Sequence, residues 1–257
     1  MVCEIDDFDL ASFSRTAAGF GLAHYGYVVT PNVDHLISYC EDPSFRALYR
    51  SAQYSLLDSR VVALAMRLLK GMHLAVCTGS DLTAQLLGHV VSPLDPIVLI
   101  GGSASQAKEI VASYRLGNVQ HHNPPMGFIN DSEATEACLC FIEAHSPFRF
   151  CFLAVGCPQQ EMIAQRLQAR GKARGLVLCV GASLNFLTGA ERRAPRWMQR
   201  FALEWLYRLA QDPKRLARRY LLRGPRFFGY LAGGRLVLRP RRTGSGASAD
   251  RRTDDTR

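Results

Sequence analysis

The stretch FCFLAVGCPQQEMIAQRLQARGKARGLVLCVGAS, residues 150–183, decides the fold. An apolar run over 150–155 ends in the loop Gly156-Cys157-Pro158-Gln159-Gln160-Glu161. Helical spacing follows over 161–169, and a second apolar run over 176–180 stops at Gly181-Ala182-Ser183. The reading is strand, loop, helix, strand, loop.

The same unit recurs outward from that stretch. Strand-like runs occupy 27–29, 74–77 and 97–100, and helical spacing appears around Leu82, Leu86 and Leu87, over 107–116 and over 133–144. This order predicts an α/β fold with a Rossmann-like, mostly parallel sheet flanked by helices. Such sheets bind ligands at the carboxyl ends of their strands. The loops to search are therefore Thr30-Pro31-Asn32, Thr78-Gly79-Ser80-Asp81, Gly101-Gly102-Ser103, 156–161 and 181–183.

From Ala194 the texture becomes helical, aromatic and Arg-rich. The expected organisation is a catalytic α/β domain over 1–193, a basic helical appendage over 194–240, and a tail over 241–257 with the composition of a disordered segment. Trp197, Phe201, Trp205, Leu206 and Leu209 recur at helical spacing, with Arg196, Arg200 and Arg208 between them. They read as a helix packed on the body, or as an amphipathic basic helix that also lies on a membrane. A chain stopped at Gly189 is expected to keep a folded body.

Composition narrows the class. With 257 residues, 48% hydrophobic and 21% charged, the chain can bury a full core. Its acidic start, MVCEIDDFDL, is unlike a signal peptide, and its apolar runs are far shorter than the ~20 residues that span a bilayer. The eight cysteines lack paired zinc-ligand spacing, and several sit in apolar runs. A reduced, cytosolic protein is expected. Of the net +9, residues 190–257 hold 18 Lys+Arg against 6 Asp+Glu, and residues 1–189 hold 13 against 16. A basic end of this kind faces nucleic acid, anionic lipid or a diphosphate.

Each glycine loop can cradle a phosphate, but none fits GxGxxG or GxxxxGK[ST], which disfavours a dehydrogenase or a P-loop enzyme. Asp7-Phe8-Asp9 has a metal-binding spacing, yet Asp9 reads better as a helix N-cap, and no metal is assigned. Asp58 closes the apolar run 54–57. It is either a helix cap or a carboxylate whose raised pKa suits a general base. His35 and His121-His122 are acid/base candidates or polar loop residues, the pair more naturally the latter.

The run 180–189, then Arg192-Arg193-Ala194-Pro195-Arg196-Trp197-Met198-Gln199, Leu203-Glu204-Trp205-Leu206-Tyr207-Arg208-Leu209 and Asp212-Pro213-Lys214-Arg215, closely resembles the WecG/TagA/CpsF glycosyltransferases. Upstream, Thr30-Pro31-Asn32-Val33-Asp34-His35, Gly79-Ser80-Asp81-Leu82, Gly101-Gly102, Pro124-Pro125 and 156–161 match in the same order. The resemblance implies an inverting transferase that uses a UDP-sugar donor and a polyprenyl-diphosphate-linked saccharide acceptor. It implies Asp58 as the catalytic carboxylate, Thr30 and Asn32 as active-site residues and Gln160 as a binding residue. Three positions depart from the family pattern: Ser59 stands where glycine is usual, Val76 where arginine is frequent and Asn185 where Asp is usual.

With no metal motif, a metal-independent reaction without cofactor is expected. The leaving diphosphate would be held by backbone N–H groups at Gly79, Ser80, Gly101, Gly102, Gly156 and Gly181 and by Arg192, Arg193 and Arg196, with Pro158, which has no N–H, shaping the substrate-binding loop. The expected site of action is the cytoplasmic side, peripheral on an anionic membrane surface, with self-association into a homo-oligomer compatible. Two rivals remain, a nucleic-acid binder using the basic segment and an inactive relative. The Trp-rich spacing weakens the first, so no nucleic acid is expected, and joint retention of Asp58, Thr30, Asn32 and Gln160 argues against the second.

Overall fold

A computed structural model describes residues 1–241, apart from the side chain of Arg215. The strands are β1 (Val2–Asp6), β2 (Tyr25–Val29), β3 (Tyr54–Ser55), β4 (Ile97–Ile100), β5 (Val119–His122), β6 (Phe150–Leu153), β7 (Gly175–Cys179) and β8 (Val237–Arg241). Six of them form a parallel sheet in the order β3-β2-β7-β6-β4-β5. Every residue of β4, β6 and β7 is buried. Runs such as IVLI and FCFL satisfy that demand, because a parallel strand is covered by helices on both faces.

Along the chain come α1 (Leu10–Ala18), α2 (Val33–Glu41), α3 (Pro43–Arg50), α4 (Arg60–Lys70), α5 (Gly79–His89), α6 (Ala104–Tyr114), α7 (Ser132–Ala144) and α8 (Gln159–Arg170). They are followed by α9 (Ser183–Leu187), α10 (Arg196–Arg200), α11 (Glu204–Gln211), α12 (Pro213–Ala217), a π-helical run Arg218–Arg223, and α13 (Pro225–Ala232). On one face of the sheet Leu36, Phe45, Met66, Leu139, Leu167 and Leu231 join a single apolar cluster, bringing α2, α3, α4, α7, α8 and α13 together. Phe13, Leu86, Ile110 and Leu184 cover the opposite face from α1, α5, α6 and α9. The architecture is the Rossmann-like α/β fold expected.

Several local expectations change. Residues 74–77 form no strand: Cys77 N–H donates to Leu57 O at 2.9 Å, but Ala75 N–H turns away to the Asp7 carboxylate at 3.4 Å, so no ladder develops. His121 and His122 close β5 instead of lying in a loop, and there they pair with Leu99 and Ile100. The helical spacing from Trp197 to Leu209 is broken between α10 and α11, where Ala202 takes φ +59°, a left-handed conformation. That region favours glycine, so an alanine there marks a turn imposed by its surroundings.

The separate pair β1 and β8 was not legible in advance. Val2 lies beside Val237 and Asp6 beside Arg241 in a parallel ladder. Arg241, assigned to the tail by sequence, is thus the last residue of a strand, while 242–257 lie outside the described residues. Asp6 is fully buried, accepting from Ser55 N–H at 2.7 Å and from the Arg241 guanidinium at 2.6 Å twice. Phe227, Leu231, Leu236 and Leu238 are buried in the same cluster as Val29 and Leu36. The segment after 194 therefore divides into a portion lying over the loops and a portion built into the body's core. Among the described residues, no helix is long and apolar enough to cross a membrane.

Candidate active site

The chain leaves β2 for α2 on one face of the sheet and leaves the adjacent β7 for α9 on the other. Diverging connections open a crevice at the strands' carboxyl ends. A cavity of about 1540 Å³ lies there. Of the residues singled out by sequence, Thr30, Asn32, Asp58, Ser80, Gly156, Pro158, Gln160, Gly181 and Arg192 line it. Trp205, Tyr207, Arg208 and Arg219 supply the facing wall.

Short polar contacts fix the floor. Thr30 Oγ1 donates to Cys179 O at 3.0 Å, tying the ends of β2 and β7. Asn32 caps α2, its Oδ1 accepting from the N–H groups of Asp34 and His35. Gln160 joins two loops: its Oε1 accepts from Gly181 N–H at 2.9 Å and its Nε2 donates to Glu161 at 2.9 Å. Glu161 Oε1 takes that bond, and its buried Oε2 has no partner.

Beneath Gln160, His35, Cys157 and Glu161 bring donor atoms within 4.8 Å of one another. Burial, with Arg219 second, pushes the His35 imidazole down to about 3, and burial raises the Glu161 carboxyl to about 7 and the Cys157 thiol well above its usual range. Tyr49 OH hydrogen-bonds His35 Nδ1 at 2.8 Å. The imidazole and the thiol are thus neutral and the Glu161 carboxyl holds its proton far more readily than a free one, which eases their burial together.

Asp58 follows β3 at the cavity wall, its backbone N–H donating to Pro31 O at 2.9 Å. Ser59, not Asp58, caps α4, accepting from Val62 N–H at 3.2 Å. The departure from glycine at 59 thus supplies a cap and leaves the Asp58 carboxylate free of that duty. Burial raises its pKa to about 7, and Glu204 at the start of α11 adds to the rise, against the Gly79 N–H and Arg208, which favour the charged form. Arg208 also stacks over Phe186 at 4.9 Å and pairs with Glu191 at 3.8 Å.

Other expected residues sit elsewhere. Gly79 reaches the site through its N–H to Asp58 and does not line the cavity. Gly101 and Gly102 do not line it either: Gly101 N–H donates to His122 O, and a Cβ there would meet Ala154 O at 2.7 Å, while a Cβ on Gly102 would meet Leu184 and Gln106. Arg193 is engaged with Asp81 at 2.6 Å, and Arg196 is an exposed residue at the start of α10. Thr78, rather than Ser80 or Asp81, caps α5. Asn185 accepts from Gln106 and donates to Glu191, a bridge that an aspartate would replace with repulsion. Val76 packs against the core, supplying no charge.

Sequence reasoning placed Arg208 on the basic helix and Glu204 in the family run but gave neither a role in the site. Their four-residue spacing puts both on one face of α11, a signal available in advance, but the face they turn to Asp58 is decided by the break at Ala202. The model described as the glycosyl transferase WecG/TagA/CpsF family matches residues 2–241, from β1 through β8 and across both walls of the cavity. The chain belongs to the WecG/TagA/CpsF family of glycosyl transferases.

Proposed function

We propose that this transferase moves a sugar (of the N-acetylmannosamine type, a uronic acid or a hexose) from a UDP donor, with inversion, to a polyprenyl-diphosphate-linked saccharide in bacterial cell-surface polysaccharide synthesis. The observation that carries this reading is Asp58, a carboxylate on the cavity wall with no capping role and a proton affinity raised to about 7. Asp58 takes the proton of the acceptor hydroxyl as its oxygen attacks the anomeric carbon. The bond from that carbon to the UDP oxygen breaks, and its electron pair leaves with the diphosphate.

Charge building on the diphosphate is met by the Ser80 N–H in the first turn of α5 and by Arg192, Arg208 and Arg219, residues that line the cavity. These groups support a reaction without a divalent cation. Turnover is expected to be unchanged in EDTA, and strict dependence on Mg²⁺ or Mn²⁺ would overturn that part. The basic segment is proposed to hold the protein at the anionic cytoplasmic face of the membrane, where such an acceptor resides.

The test pairs a panel of UDP-sugars with a lipid-diphosphate-linked saccharide and reads products by mass spectrometry. Asp58→Asn should lower transfer by ~10²–10⁴-fold with folding and donor binding retained. A variant within threefold of wild type removes Asp58 from the mechanism.

A further inference from the structure

The outward stripe of α4 is unusual for a helix of the body. Val62, Ala65 and Met66 face the core, while Arg60, Leu64, Arg67 and Leu68 follow one another at i, i+4, i+7 and i+8 on the other side. Leu64 and Leu68 are 45% and 72% exposed. Phe201, which follows α10 and meets Leu64 in a shared cleft, is 67% exposed, and Trp197, one helical turn before it, is 58% exposed. Arg60, Leu64, Arg67 and His73 share a shallow cleft with Arg200 and Phe201, and no described acidic side chain lines it. Among the described residues, Arg60, Arg67, Arg196 and Arg200 form no ion pair, although arginines elsewhere in the segment do, as Arg223 does with Asp34.

Exposed apolar side chains interleaved with unpaired arginines match one environment, the headgroup boundary of an anionic bilayer, where leucine and tryptophan enter the acyl edge and arginine meets lipid phosphate. We propose that α4 and the α10 turn form one composite face that docks on an anionic phospholipid membrane. Arg60 and Ala202 line both this cleft and the main cavity, so the docked face borders the cavity's edge. Docking then sets the cavity against the bilayer, within reach of a lipid-borne acceptor. The inference rests on the proposed lipid-linked acceptor for its purpose, and assigns half of the membrane contact to the α/β body.

Co-sedimentation with phosphatidylcholine vesicles containing 25% phosphatidylglycerol, and with phosphatidylcholine alone, tests it. Wild type should bind the mixed vesicles, losing affinity in high salt, and not the neutral ones. Leu64→Ser with Leu68→Ser, and separately Arg67→Glu, should each weaken binding at least tenfold, whereas Leu94→Ser, exposed in another loop, should not. Both α4 variants should keep wild-type turnover on a short-chain, water-soluble acceptor and lose it on the vesicle-embedded one. Wild-type vesicle binding by both α4 variants, or no binding by wild type, overturns the proposal. Failure of every UDP-sugar with either acceptor would sink the proposed reaction while leaving the vesicle result to decide docking by itself.

Discussion

Asp58 is held where its protonation matters. As the proposed base, Asp58 must be ionised to act, and burial, with Glu204 adding to it, raises its pKa to about 7. The free enzyme's kcat/KM is therefore expected to fall about tenfold per pH unit below that value. Glu204→Gln, which removes the neighbouring negative charge, should move the limb to lower pH, and Arg208→Gln should move it higher. A rate flat from pH 5.5 to 8, or a limb indifferent to both changes, would remove Asp58 as the titrating base. Sequence placed Asp58 at the close of an apolar run and left it either a helix cap or a base, and the base role came from the family resemblance. Its partners were not legible, since Glu204 reaches it across the cavity and nothing local connects them. Ser59 shows the limit in miniature: the neighbourhood signalled a helix start, but whether Asp58 or Ser59 caps it depended on backbone geometry.

The well-read elements are those with continuous apolar runs or long helical periods, such as β4, β6, β7, α7 and α8. β1 and β8 escaped because each is short and mixes polar residues with apolar ones, and Pro240 further disguises the second. Their ladder also carries an ion pair between the buried Asp6 carboxylate and the partly exposed Arg241. Arg241→Ala would leave the buried Asp6 carboxylate without its guanidinium, which is expected to lower stability by about 3 kcal/mol, discounted for the partial exposure of Arg241. Asp6→Asn combined with Arg241→Ala should lose less than the single change. Urea melts of the wild type and the two variants check the order, and equal losses would show that the charge pairing contributes nothing.

For the molecule as a whole, the basic end cannot simply be removed. A chain stopped at Gly189, expected from sequence to keep a folded body, would strip Phe227, Leu231, Leu236 and Leu238 from the main apolar cluster. Losing one large buried side chain typically costs about 2–5 kcal/mol, against a total stability of about 5–15 kcal/mol. Such a chain is expected to show no cooperative thermal transition by circular dichroism, and a sharp one would contradict this packing. The contribution of the basic segment to catalysis must accordingly be read from point substitutions. The parallel pairing of Val2 with Val237 also has a consequence in time. On a ribosome adding about 5–20 residues per second, β1 emerges roughly 10–50 s before its partner exists. Throughout synthesis that first strand keeps an unmet edge, a contact of the highest sequence separation, so it settles among the last and a nascent chaperone has a defined segment to shield.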